Sequence, residues 1–188
     1  LIIRASDDGT RLYVGGDFTT VDGVARSHVA SFDLTQAGAP MTAMNARTDG
    51  QVRGLVPIGN ALYVGGNFRS ANGQERSLFA AFDTTTGNIN SWAPVGDTGG
   101  YVFTMVAAPD KSRIIAGGSF ATINGVDAYG MGSIDASTGA TLPWAANTRL
   151  RAAGLNGAID TLSTDGTSIF GAGYSFGAGA AFEGTFSA

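Results

Sequence analysis

Leu12-Tyr13-Val14-Gly15-Gly16-Asp17-Phe18 returns as Leu62-Tyr63-Val64-Gly65-Gly66-Asn67-Phe68 and again as Ile114-Ile115-Ala116-Gly117-Gly118-Ser119-Phe120. A looser copy, Ile169-Phe170-Gly171-Ala172-Gly173-Tyr174-Ser175-Phe176, follows near the end of the chain. The recurrence of about 50 residues is the length of one supersecondary module in a repeat protein. Each copy is preceded by a turn signal: Asp8-Gly9, Gly59-Asn60, Asp110-Lys111 and Asp165-Gly166. Asn, Asp and Gly tolerate positive φ, so these pairs read as hairpin turns between two strands. After the first three copies come Asp22-Gly23, Asn72-Gly73 and Asn124-Gly125, then apolar stretches ending in Asp33, Asp83 and Asp135. Thr86-Gly87 and Thr138-Gly139 then lead into short segments carrying Trp92 and Trp144.

The second repeat divides into strand a, Leu55–Ile58, strand b, Ala61–Phe68, strand c, Leu78–Phe82, and strand d, Asn88–Trp92. With no helical periodicity and hairpins in succession, this fits an all-β chain of propeller blades better than a sandwich. The reading is a β-propeller segment of about four blades, each a four-stranded antiparallel sheet. The blades span residues 1–48, 49–98, 99–149 and, incompletely, 150–188. Leu1 begins inside an apolar strand and Ala188 falls where a strand c would end, so further blades of the same protein are expected.

Composition agrees with many short strands: the 188 residues include 29 glycines, and 44% are hydrophobic. Of the eleven Lys and Arg residues only Lys111 is a lysine, and the net charge is −4. Scattered arginines under a net negative charge do not suit nucleic acid, which demands clustered cations. No apolar run approaches the roughly 20 residues of a membrane-spanning helix, and none has a signal peptide's charged start and apolar centre. Cysteine is absent, which removes thiolate chemistry and leaves the redox compartment open.

The run Leu-Tyr-Val-Gly-Gly-Asn-Phe, then Asn-Gly, then Ala-Phe-Asp-x-x-Thr-Gly and a tryptophan resembles the delta-60 type propeller repeat of bacterial surface and secreted proteins. The resemblance covers the whole chain. It implies an extracellular or cell-surface location and a noncatalytic module that binds a glycan or protein partner, or spaces other domains. A weaker similarity is to quinoprotein dehydrogenase blades, although the spacings from Gly87 to Trp92 and from Gly139 to Trp144 exceed that family's usual one. The alternative is therefore an enzyme, a quinoprotein-like oxidoreductase or a carboxylate-based glycan-cleaving enzyme.

Residues that recur in each repeat are read first as serving the repeat. Asp33, Asp83 and Asp135 are expected to accept backbone N–H bonds from the turn that follows. Trp92 and Trp144 are expected to wedge between neighbouring blades. The Gly-Gly pairs lack the following helix and Gly-Lys-Ser/Thr of a phosphate loop, so they read as close packing of an inner strand or as a bulge. His28 is the single histidine, which leaves no catalytic triad and no histidine-rich metal site. No catalytic residue, metal ligand or cofactor is expected.

The position after each glycine pair varies instead: Asp17, Asn67, Ser119 and Tyr174. Two readings stand open, a polar rim that hydrogen-bonds a ligand and a set of local turn caps. Arg26 and Arg76 recur as well, with Ala128 in the third repeat, and a structural ion pair and ligand capture are equally admissible. The fourth repeat is shortened between Phe176 and Phe186, either beside a binding site or by drift.

Overall fold

The computed structural model of the protein describes residues 1–144 and 157–175; the shortening expected between Phe176 and Phe186 lies outside them. Among the described residues every regular element is a β-strand. The first repeat holds β1 (Ile2–Ala5), β2 (Arg11–Gly15), β3 (Thr20–Val21), β4 (Val24–Ala25) and β5 (Val29–Asp33). The second holds β6 (Val52–Ile58), β7 (Ala61–Gly66), β8 (Ser70–Ala71), β9 (Gln74–Glu75) and β10 (Phe79–Asp83). The third holds β11 (Tyr101–Ala107), β12 (Arg113–Ser119), β13 (Thr122–Ile123), β14 (Val126–Asp127) and β15 (Met131–Asp135). The described part of the fourth is the pair β16 (Gly157–Thr164) and β17 (Ile169–Ser175).

Each of the first three repeats forms an antiparallel sheet of three strands, in the orders β1-β2-β5, β6-β7-β10 and β11-β12-β15. The expected fourth strand is a stub. In the second repeat Asp83 N–H donates to Asn88 O at 2.8 Å and Asn90 N–H to Ala81 O at 3.0 Å, around the single bridge Phe82–Ile89. The ladder ends there because the Asn90 side chain accepts the Trp92 N–H at 2.9 Å, and Pro94 has no N–H to offer. The other two repeats end with the same two bonds, about the bridges Phe32–Met41 and Ile134–Thr141.

The b–c connection, expected only as a turn, is a hairpin of its own: β3-β4, β8-β9 and β13-β14. Its two turn residues take positive φ, 48° and 78° at Asn72 and Gly73, which is the primed turn that a two-residue hairpin needs. Strand c begins one residue late for a related reason. Leu78 and His28 sit at φ 69°, and Gly130 holds the same place in the third repeat at φ 83°. The left-handed conformation costs a side-chain-bearing residue about 1–2 kcal/mol. Two backbone bonds hold it: Leu78 N–H to Phe68 O at 3.1 Å and Gly66 N–H to Leu78 O at 3.0 Å.

The glycine pairs divide their labour. The second glycine lies across a β-bulge in strand a, between Val52 and Gly54, Val102 and Thr104, or Ile159 and Thr161. A Cβ at Gly66, Gly118 or Gly173 would collide with the backbone carbonyl of Gln51, Tyr101 or Ala158. The first glycine faces the next repeat instead. A Cβ at Gly15 would stand 2.7 Å from Val52 Cγ1, and one at Gly117 2.8 Å from Ile159 Cγ2.

The chain divides into two compact units, Leu1–Ala93 and Pro94–Ala188. In the first, the Gly15 contact is joined by a backbone bond from Val52 N–H to Gly16 O at 3.2 Å, and one buried cluster takes in Tyr13, Val29, Met44, Leu55, Val64 and Phe82 from both repeats. In the second, the buried Leu162 N–H donates to Thr104 Oγ1 at 3.1 Å beside a cluster of Val106, Ile115, Met131, Ile159 and Leu162.

Inserting a methyl group against backbone is resolved only by moving the strand, and such overpacking costs about 1–3 kcal/mol. Gly66→Ala is therefore expected to cost stability in the upper part of that range and to lower the denaturant midpoint accordingly, whereas Gly73→Ala, with open space around it, loses only the backbone preference for glycine. Equal midpoints in a urea titration would contradict this assignment.

Candidate functional site

Every sheet has two ends. At the turn end lie the a–b turns and the Asp-bearing turn after strand c; at the hairpin end lie the residues after the glycine pair and the small b–c hairpins.

At the turn end, carboxylates are held by short loops. Asp33 Oδ1 accepts the Thr35 N–H at 2.9 Å and hydroxyl at 2.6 Å. Asp83 Oδ1 takes the N–H groups of Thr85 and Thr86 and the Thr86 hydroxyl, at 3.0, 2.7 and 2.9 Å. Asp135 Oδ1 takes the Ser137 hydroxyl at 2.7 Å and the Thr138 N–H at 2.8 Å, and these two bonds lead in lowering its pKa to about 2. Asp8 is likewise lowered to about 2, first by the Ser6 hydroxyl and then by the Thr10 N–H and hydroxyl. Asp110 and Asp165 are lowered by the N–H groups of Ser112 and Ser168 above all. A general acid at neutral pH needs its carboxyl raised, so these six are tuned away from proton donation.

Between the first two repeats this end encloses a hollow of about 420 Å³. Ser6, Asp7, Asp8, Thr10, Arg11 and Tyr13 form one wall, and Pro57, Gly59, Asn60, Thr84 and Thr85 the other. The volume falls in the range of small-molecule sites, about 300–1,000 Å³. Tyr13 is buried at the base, where burial raises its phenol pKa and a hydrogen bond with the Thr84 side chain opposes the rise. Asp8 spends one oxygen, Oδ1, on all three of its loop bonds, which leaves Oδ2 as an ionised acceptor.

The four sequence candidates sit at the opposite end. Asp17 is 74% exposed, with Oδ1 3.8 Å from His28 Nδ1. His28 is buried, and its Nδ1 lies 3.2 Å from Gly16 O. Asn67 is exposed and donates its backbone N–H to Gln51 O at 2.9 Å. Ser119 ends β12 opposite Tyr101, and Tyr174 lies opposite Ala158 with 48% exposure. Asp17 and Asn67 belong to the first unit and Ser119 and Tyr174 to the second. All four follow the second residue of the pair in sequence, but none lines the hollow.

Trp92 is buried edge-on to Tyr63 and Phe79 of its own repeat, with centroids 4.9 and 6.4 Å apart. Trp144 packs against the cluster shared by the third and fourth repeats. Arg26 and Arg76 are carbonyl clamps: Nη2 of each donates at 3.3 Å, to Thr42 O and Asn90 O, where the strand d stub leaves the sheet.

Two further pairs escaped sequence reasoning. Asp49 Oδ1 accepts the N–H groups of Arg69 and Ser70, and Asp97 Oδ1 those of Ala121 and Thr122. Asn72 Oδ1 accepts the Arg47 N–H at 2.9 Å while Nδ2 donates to Gly87 O at 2.8 Å. Asn124 repeats the clasp with Val95 N–H at 2.9 Å and Gly139 O at 2.9 Å. The only signal in the sequence was that an aspartate recurs shortly before strand a and an Asn-Gly pair after strand b.

Among the described residues no three His, Asp or Glu side chains converge to hold a metal ion. No helix there is long and apolar enough to cross a membrane. Compared with known proteins, the chain matches no family model and no curated protein.

Asp135 fixes one pH dependence. Its folded-state pKa lies below the ordinary 3.8, so its stabilising share is full above that value and is lost as pH falls through about 2. The Asp135 carboxyl should titrate by NMR with a midpoint about 2 in the folded protein, and replacing both Ser137 and Thr138 with alanine should move it up toward 3.8. An unchanged midpoint would show that the hydroxyls do not hold the carboxylate.

Proposed function

We propose that the chain is a segment of a β-propeller of the delta-60 type, a noncatalytic extracellular or cell-surface module of bacterial origin that binds a glycan. The hollow between the first two repeats is its binding site. The observation that carries this reading is the wall chemistry: an ionised Asp8 oxygen, the Asn60 amide, the Arg11 guanidinium and the Ser and Thr hydroxyls line the hollow together with Pro57. Such a mixture of donors and acceptors suits the alternating hydroxyls of a sugar ring. The blade reading draws support from the repeated three-stranded sheets and from Gly15 and Gly117, each of which admits the next repeat within its own unit. Low lysine content and the recurring sequence pattern support the family and the location.

The test is titration with neutral and anionic oligosaccharides, followed by amide NMR. Shifts are expected at Thr10, Asn60 and Thr85 with a neutral sugar. Asn60→Ala, on the exposed rim, should weaken that binding about three- to tenfold, the value of one ordinary hydrogen bond. Binding that leaves these residues unshifted, or that is indifferent to Asn60→Ala, would place the ligand elsewhere and overturn the assignment.

A further inference from the structure

Of the chain's three Asn-Gly pairs, the two that form turns among the described residues, Asn72-Gly73 and Asn124-Gly125, are chemically special beyond their geometry. Without a side chain on the following residue, the Gly backbone nitrogen can reach the Asn side-chain carbon. It then forms a new C–N bond and loses its proton, while the side-chain nitrogen leaves as ammonia. Water opens the resulting cyclic imide at either carbonyl, giving aspartate or isoaspartate. Asn72 and Asn124 occupy this position, yet both ends of each side-chain amide are engaged.

We propose that Asn72-Gly73 and Asn124-Gly125 are latent modification sites, which the clasp keeps unreacted and whose reaction releases the clasp irreversibly. Both side-chain bonds hold the amide plane against backbone that belongs to other segments: Arg47 and Gly87 in one case, Val95 and Gly139 in the other. Cyclisation requires that plane to turn toward the Gly nitrogen, so both bonds must break first. The reaction rate is thus tied to local opening. The product cannot remake the bond that the amide N–H gave. A carboxylate has no N–H for Gly87 O or Gly139 O and sets a negative charge against that carbonyl.

In the first repeat the same turn position, at φ 48°, holds Asp22. Deamidation of Asn72 and Asn124 would remove the amide N–H that each gives to Gly87 O or Gly139 O.

The test is incubation of the full chain at mildly alkaline pH, native and in denaturant, with peptide mapping of aspartate and isoaspartate at both positions. In the native protein both sites should react about tenfold or more slowly than in denaturant, the margin that a local opening of modest free energy supplies. Arg47→Pro removes the N–H that Asn72 Oδ1 accepts and should accelerate Asn72 alone, leaving Asn124 slow in the same molecules. Equal native and denatured rates in the unsubstituted protein would overturn the proposal whatever the variant does. Acceleration of both sites in Arg47→Pro would show general unfolding of that variant, and the native-versus-denatured comparison then decides. An Asn72 rate unchanged in a folded Arg47→Pro protein would also overturn it.

Discussion

The structure depends on how closely the middle strand of each sheet lets its neighbours approach. At the ends of the middle strands glycines stand where a side chain would strike something: Gly15 and Gly117 face Val52 and Ile159 of the next repeat's strand a, while Gly66 and Gly118 face a carbonyl beside the bulge of their own strand a. Close packing leaves no room for compromise, because an interior at crystal-like density absorbs even one methyl group poorly. The fourth repeat illustrates the division. It keeps Gly173, which faces the Ala158 carbonyl, but carries Ala172 at the position of the first glycine, where the strand is exposed.

Around that contact the two ends of the sheets are made differently. The turn end is tied by carboxylates that accept N–H and O–H groups within three residues of themselves, so each loop is rigid by local means. The hairpin end is tied across long sequence separations, with Asp49, Asp97, Asn72 and Asn124 each pinning a linker to a hairpin. Rigid loops flanking a hollow are a good basis for binding, since little conformational entropy remains to be lost when a ligand enters. The clasps carry the opposite character, being as durable as the two hydrogen bonds that close them.

The repeat, the all-β class and the sequence positions of the strands were legible because glycine pairs, Asx-Gly turns and apolar runs recur in phase. Side-chain roles that act locally were legible too: Asp33, Asp83 and Asp135 bond groups two or three residues away, and such patterns are visible as Asp-x-Ser/Thr or Asp-x-x-Thr. What was not legible acts over distance or through backbone. Asp49 reaches residues twenty positions on, and nothing in the sequence marks its partner. The left-handed residues His28, Leu78 and Gly130 share no side-chain chemistry, so their common geometry is imposed by the backbone bonds to Phe18, Phe68 and Phe120. The fourth strand failed to extend because a side-chain cap and prolines end it, a competition that apolar pattern alone does not resolve. The hollow was missed because two turns meet there that lie about 50 residues apart, while the variable residues that drew notice lie at the other end.

A double-mutant cycle on Gly15 and Val52 tests whether Gly15 is there to admit the second repeat. Gly15→Ala places a methyl group where Val52 Cγ1 stands, 2.7 Å away, and Val52→Ala removes that atom. Each single substitution is expected to destabilise the protein, and the double substitution to cost less than their sum by about 1 kcal/mol or more, the coupling of residues in contact. Strict additivity of the two changes in urea unfolding would mean that Gly15 and Val52 do not meet, and the stacking of repeats described here would be wrong.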